Sequence, residues 1–246
     1  MGVLEGILMQ VDEAADELSS YEPTVMNWLE RARSSVQWMV PRLESCAGDL
    51  SRHAEDVLNA PARLRNMWAE LKPECTASAA SILTFERLLA LDDVLRESVT
   101  GEVVSKVVTG FLVERHADFK SNGRSDYPDL FLGHLDYSGL ASFARKGPRP
   151  IEYGAALKGK DRRPVRIPDG LEIKTCRDAI RVDCHNCHAG LHLILVFTER
   201  GREFDVTDIK VGFLKSSDYH ESGRNTTTTT VKFSFNGDRF HSLLPS

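Results

Sequence analysis

No stretch of this 246-residue chain approaches the run of about twenty apolar residues that a bilayer-spanning helix needs. The first residues, Met1 to Leu18, bring in acids early and lack a basic n-region, so no secretory signal is expected. Cysteine is scarce and odd in number, five in all, which excludes a fully paired disulfide scaffold and favours free thiols in a reducing cytoplasm. No phosphate-binding P-loop, dinucleotide fingerprint or Gly-x-Ser-x-Gly elbow is present. Readings as an ATP-driven enzyme, a dinucleotide-dependent enzyme or an elbow-type hydrolase therefore lack support. Apolar residues at 41% and charged residues at 27% are an ordinary mixture for a chain that buries a core.

What is present is divided unevenly. Residues 1–100 hold 9 basic and 17 acidic side chains, whereas residues 101–246 hold 22 and 19. Between Ala141 and Arg181 the excess is positive, with 11 basic against 5 acidic groups. A basic segment in an acidic protein directs attention to a polyanion partner for the second half.

The first half reads as helices. Val3, Leu4, Ile7, Leu8 and Val11 recur at helical spacing, and Glu22-Pro23 ends that segment. A second helix is expected from Thr24 to Val40. A third covers Pro41 to Leu58 and a fourth Pro61 to Leu71, with each proline at a first turn. Longer helices are expected over Thr76–Ser98 and Thr100–Ala117. After Asn122-Gly123 the pattern becomes extended, with strands expected at Pro128–Leu132, Gly170–Thr175, Leu191–Thr198, Val206–Leu214 and Thr227–Phe235. Residues 134–166 form a Gly- and Pro-rich basic insertion. The expected fold is α/β, a mixed sheet of about five strands flanked by helices, with a helical N-terminal region.

One strand carries the chemistry. In Gly170-Leu171-Glu172-Ile173-Lys174-Thr175, alternation puts Glu172 and Lys174 on one face and Ile173 on the other. Asp129, after Pro128 at the start of the preceding strand, is the natural second carboxylate, with Asp126 left open as an alternative. Two carboxylates sharing one hard cation suit Mg²⁺.

Pro128-Asp129 followed by Glu172-Ile173-Lys174 resembles the PD-(D/E)xK nuclease superfamily over residues 100–235. The gap of 43 positions between Asp129 and Glu172 requires the insertion to loop out. The resemblance implies a restriction-endonuclease-like core over 99–246, with residues 1–98 as a scaffold or dimerisation region. It also implies an acid from the helix before the Pro-Asp strand, Glu102 in preference to Glu114. The implied activity is Mg²⁺-dependent, sequence-specific cleavage of double-stranded DNA by a cytoplasmic homodimer of the type II restriction kind. Asp129, Glu172, Lys174 and Glu102 are its expected catalytic residues, with Asp129 and Glu172 as metal ligands. A repair or modification-dependent nuclease of the same superfamily is the nearest alternative.

DNA contacts are expected from Arg145, Lys146, Arg149, Lys158, Lys160, Arg162, Arg163 and Arg166 in the insertion, and from Lys215, Ser217, Arg224 and Asn225. A second cluster, Cys184, His185, Cys187 and His188, with Cys176 and His192 nearby, has one zinc-knuckle spacing and lacks a second. It is read as reduced thiols and histidines beside the active-site strand. Zinc, or phosphate contact by the histidines, is the secondary reading, and a non-catalytic zinc-organised DNA-binding module is the rival function.

Overall fold

The computed structural model describes residues 2–19, 25–71, 82–83, 86–87, 103–121, 128–132, 170–180, 182–184, 190–200, 203–224, 231–235 and 237–245. Two helices open the chain, α1 (Val3–Ser19) and α2 (Val25–Leu71). Residues 103–115 are also helical. Among the described residues nine strands follow: β1 (Phe119–Ser121), β2 (Leu130–Leu132), β3 (Leu171–Arg177), β4 (Val182–Cys184), β5 (Gly190–Arg200), β6 (Glu203–Leu214), β7 (Tyr219–Arg224), β8 (Val231–Phe235) and β9 (His241–Ser242).

They form two sheets where one of about five strands was expected. The larger is six-stranded in the order β1-β2-β3-β5-β6-β9, and the smaller is β4-β8-β7. Every neighbouring pair is antiparallel except β3 and β5, which run parallel with Leu171 opposite Leu191. The chain between those two strands contributes β4 to the smaller sheet.

The larger sheet is dry on one face. Leu171 and Ile173 of β3, Leu191, Leu193, Leu195 and Phe197 of β5, and Ile209, Val211 and Phe213 of β6 form one core with the helices. Helix α1 contributes Ile7, Val11 and Ala14, and helix 103–115 contributes Val104, Val108 and Leu112, both at the three- and four-residue spacing of a single helical stripe. Polar clips fix the docking. Gln10 of α1 accepts from the Phe213 amide at 2.8 Å and donates to the Arg239 carbonyl at 2.6 Å. Asn59 of α2 accepts from the Phe204 amide at 2.7 Å and donates to its carbonyl at 2.9 Å, acting as a substitute strand partner for β6.

Helix α2 departs from the three helices expected over the same residues. It is continuous for 47 residues and carries Pro41 and Pro61 in its interior. An interior proline removes one backbone hydrogen bond and crowds the preceding turn, at about 3 kcal/mol. Beside Pro41, the Arg42 side chain donates to the Trp38 carbonyl at 2.9 Å and lies over the Trp38 ring. The stripe Val36, Met39, Val40, Leu43, Cys46, Leu50, Ala54 and Leu58 is buried across the proline, and this packing outweighs the local break. Neither α2 nor any other described helix is long and apolar enough to cross a membrane.

The other face of the larger sheet meets the smaller one. His192 packs edge-on against Phe235 with ring centroids 5.9 Å apart, and Tyr219 packs against the same Phe235 at 5.5 Å.

Candidate metal centre

The site begins with a proline that cannot donate. Pro128 precedes β2, so regular pairing with β3 starts at Leu130, opposite Leu171. Asp129 lies immediately before β2 and reaches β3 beside Glu172. The Asp129 carboxylate accepts the Ile173 amide through Oδ2 at 2.7 Å, and Ser105 of helix 103–115 is among the groups that lower its proton affinity. Gly170 lets the two strands close up at this point. A Cβ there would meet Pro128 Cγ at 2.3 Å and the Leu130 carbonyl oxygen at 2.7 Å.

On β3 the buried Leu171 and Ile173 face the helices, and Glu172 and Lys174 face the other way. The Lys174 ammonium lies 2.5 Å from Glu172 Oε1. The Glu172 side chain is 7% exposed and that of Lys174 is 28% exposed, so the acid is sealed while the lysine side chain is partly exposed. Burial pushes the Glu172 carboxyl up to about 7; the Lys174 charge opposes the shift and the neighbouring Asp129 charge adds to it. Asp129 is raised too, first by burial, against the Ile173 amide, the Lys174 charge and the Ser105 hydroxyl.

These groups fit a hard divalent cation. Two adjacent carboxyls face one ammonium, and Glu172 Oε2 is buried with no hydrogen-bond partner among the described residues. An oxygen-only donor set of two carboxylates, with water or phosphate completing it, suits Mg²⁺. Among the described residues no group of three or more His, Cys, Asp or Glu side chains can hold a metal.

His192 of β5 stands opposite Glu172 on its other side and is buried. Its Nδ1 is 2.9 Å from the Gly190 carbonyl, which places the proton on Nδ1 and leaves Nε2 to accept from the Tyr219 hydroxyl at 3.4 Å. The imidazole and the Tyr219 ring thus wall the site on the side of the smaller sheet. Of the groups that touch this centre, sequence reasoning missed Tyr219 and the close approach at Gly170.

The remaining expected residues are distributed as follows. Glu102, Asp126, Arg145, Lys146, Arg149, Lys158, Lys160, Arg162, Arg163, Arg166, Asn225, His185, Cys187 and His188 lie outside the described residues. Cys184 is in β4 and Arg224 ends β7, each described by its backbone alone. Glu114 is exposed on its helix, and Ser217 is exposed beyond β6. Lys215, expected to contact DNA, is engaged within the protein. Its ammonium is 3.4 Å from Glu13, and Arg239 bridges Glu13 at 2.7 Å and Asp218 at 3.3 Å. An open cleft of about 420 Å³ lies elsewhere, lined by Asp178, Ile180, Thr207, Asp208 and Lys210; it does not include Glu172, and its lysine is paired to Asp208 at 3.2 Å.

No family model, no curated protein and no solved structure matches the chain, so its reading rests on the geometry above.

Proposed function

We propose that this chain is a divalent-cation-dependent endonuclease acting on double-stranded DNA, with a restriction-endonuclease-like core and a homodimeric, sequence-specific mode of action. One observation carries the reading: Asp129, immediately before β2, accepts the Ile173 amide beside Glu172, whose carboxylate has the Lys174 ammonium 2.5 Å away. The six-stranded mixed sheet with helices packed on one face is compatible with it.

Mg²⁺ bound there would acidify a water and neutralise charge on a scissile phosphate. The chain's own residues supply the rest. Asp129 and Glu172 would hold the cation, the Ile173 amide orients Asp129, and His192 with Tyr219 keeps bulk water from the inner side. Lys174 neutralises Glu172 while no cation is present. The ammonium of this partly exposed side chain is then the group that meets the attacking water or the extra negative charge of the pentavalent phosphate. The positive excess between Ala141 and Arg181 supplies phosphate contacts.

The test is incubation of the purified chain with phage DNA, with and without Mg²⁺, followed by sequencing of fragment ends. Discrete fragments that require Mg²⁺ are expected, and Lys174→Ala should reduce the rate by roughly 10²-fold or more with the fold intact. Cleavage confined to methylated DNA would select the modification-dependent alternative. Absence of any Mg²⁺-dependent cleavage, together with stoichiometric zinc in the protein, would overturn the proposal in favour of a zinc-organised module.

A further inference from the structure

We propose that Tyr219 is a positioning residue that sets the cation preference of this centre: its hydroxyl keeps Nε2 of His192 out of the ligand set and leaves oxygen donors alone at Glu172. The proposal rests on the cation-dependent reading of Asp129 and Glu172. The sheet itself brings an imidazole to the carboxylate. Glu172 and His192 are register partners on the parallel strands β3 and β5. Leu191 and Leu193 belong to the helix-packed core, so alternation turns the buried His192 to the same face as Glu172. A nitrogen donor beside two carboxylates would favour Zn²⁺, Co²⁺ or Ni²⁺, whereas carboxylates with water favour Mg²⁺ and Mn²⁺.

Both ring nitrogens are engaged elsewhere. A carbonyl only accepts, so Nδ1 donates to the Gly190 carbonyl at 2.9 Å. In the neutral ring the remaining lone pair is on Nε2, and the Tyr219 hydroxyl lies 3.4 Å from it. A metal ion would need that same lone pair. Aromatic packing fixes the arrangement. Phe235 meets the His192 ring at 5.9 Å and the Tyr219 ring at 5.5 Å, both edge-on, and Phe240 stacks on it at 5.5 Å. Gly212 of β6 is the other register partner of His192, and a Cβ there would meet Phe240 Cδ1 at 2.8 Å. Phe240 thus lies tight against β6 next to His192 and backs Phe235, so neither ring turns without displacing a packed aromatic. What remains for a cation at Glu172 is oxygen, including the Oε2 atom that lacks a hydrogen-bond partner among the described residues.

The experiment measures Mn²⁺ and Co²⁺ affinity of the full chain by calorimetry, with the visible absorption of bound Co²⁺ as a second readout. The proteins are wild type, Tyr219→Phe and the double variant Tyr219→Phe/His192→Gln. Phenylalanine keeps the ring against Phe235 and removes only the hydroxyl. Wild type should bind Co²⁺ with the weak absorption of an all-oxygen site. Tyr219→Phe should raise Co²⁺ affinity relative to Mn²⁺ by about 10-fold, the scale on which outer-shell partners act on metal affinity. Its Co²⁺ band should strengthen and shift, as a nitrogen ligand requires. The gain should vanish in the double variant, which lacks the imidazole; a gain that persists there arises elsewhere in the chain and overturns the proposal. Long-range ¹H–¹⁵N spectra of the metal-free wild type should show His192 protonated on Nδ1 alone, its signals identified by their loss in His192→Gln. A proton on Nε2 would overturn the proposal independently of the metal measurements. An unchanged Co²⁺ to Mn²⁺ ratio in Tyr219→Phe would overturn it and leave the proposed function standing. A wild-type chain that binds neither ion would overturn both.

Discussion

Replacing Glu172 by glutamine should stabilise the metal-free protein, and only above mild acidity. The carboxyl is buried, faces Asp129, and is neutralised by a single lysine. Its proton affinity in the folded chain corresponds to about 7, against an ordinary value of 4.5. Between those values the folded protein keeps a proton that the unfolded chain has released. Stability therefore falls as pH rises through this window and levels off above about 7. The full loss from this one group is on the order of 3 kcal/mol. Glutamine has the shape of the protonated acid and does not ionise, so Glu172→Gln escapes the loss. Urea denaturation in chelator at pH 5, 6, 7 and 8, followed by tryptophan fluorescence, measures it. The stability difference between variant and wild type should grow with pH toward about 3 kcal/mol at pH 8. Asp129 and Asp218 titrate in both proteins, and comparison at each pH limits their contribution. Saturating Mg²⁺ should then raise the wild type at pH 8 and leave the variant unmoved. A difference that stays flat from pH 5 to 8 would refute the reasoning, since it would mean that Glu172 ionises as readily folded as unfolded.

Gly170→Ala places a methyl 2.3 Å from Pro128 and 2.7 Å from the Leu130 carbonyl oxygen, the two residues that flank Asp129. It should destabilise by about 1–3 kcal/mol and abolish Mn²⁺ binding in the same protein, as read by melting and calorimetry. Asn59→Ala leaves both the amide and the carbonyl of Phe204 without their side-chain partner, and should lower denaturant stability by roughly 2–4 kcal/mol. Deleting residues 1–70 strips α1 and α2 from a core that includes Leu193, Leu195 and Ile209, so the remainder should be insoluble or molten by near-ultraviolet circular dichroism. Elemental analysis of the purified chain should find no stoichiometric zinc, in keeping with the reading of the Cys/His segment as free thiols.

How much of this was legible depended on whether a residue's place is set locally or by tertiary contact. The β3 strand was readable because its alternation is local: Leu171 and Ile173 belong to one face and Glu172 and Lys174 to the other. The β5 strand was readable as an apolar run, being buried on both faces from Leu191 to Phe197. Strands β1, β4 and β9 have three, three and two residues, too few to establish a period. Of the smaller sheet, β8 lies within the strand expected at Thr227–Phe235, whereas β4 and β7 were not expected. The prolines of α2 were read as helix starts on sound local grounds, but a stripe of core residues continues across Pro41. At the site, the pair Glu172 and Lys174 is inscribed in sequence spacing. Tyr219 carries no such mark, because its meeting with His192 depends on how the smaller sheet packs on the larger.

The register that builds the core also builds the site. Because side chains in a strand alternate, sliding β3 by one residue against β2 and β5 would drive Lys174 into the helix-packed face and lift Ile173 out of it. The apolar face forbids that slip at the expense of several buried side chains. It thereby holds Glu172 and His192 side by side on the opposite face, with Asp129, just before β2, bonded to the neighbouring Ile173 amide. A buried acid with a high proton affinity and an oxygen lacking a partner is a destabilising feature for a metal-free fold. The core packing on the other face is what tolerates it. The destabilisation concentrates where a cation would relieve it, which is the physical reason for placing function beside Glu172 rather than at the open cleft beside Asp208, whose lysine is already paired.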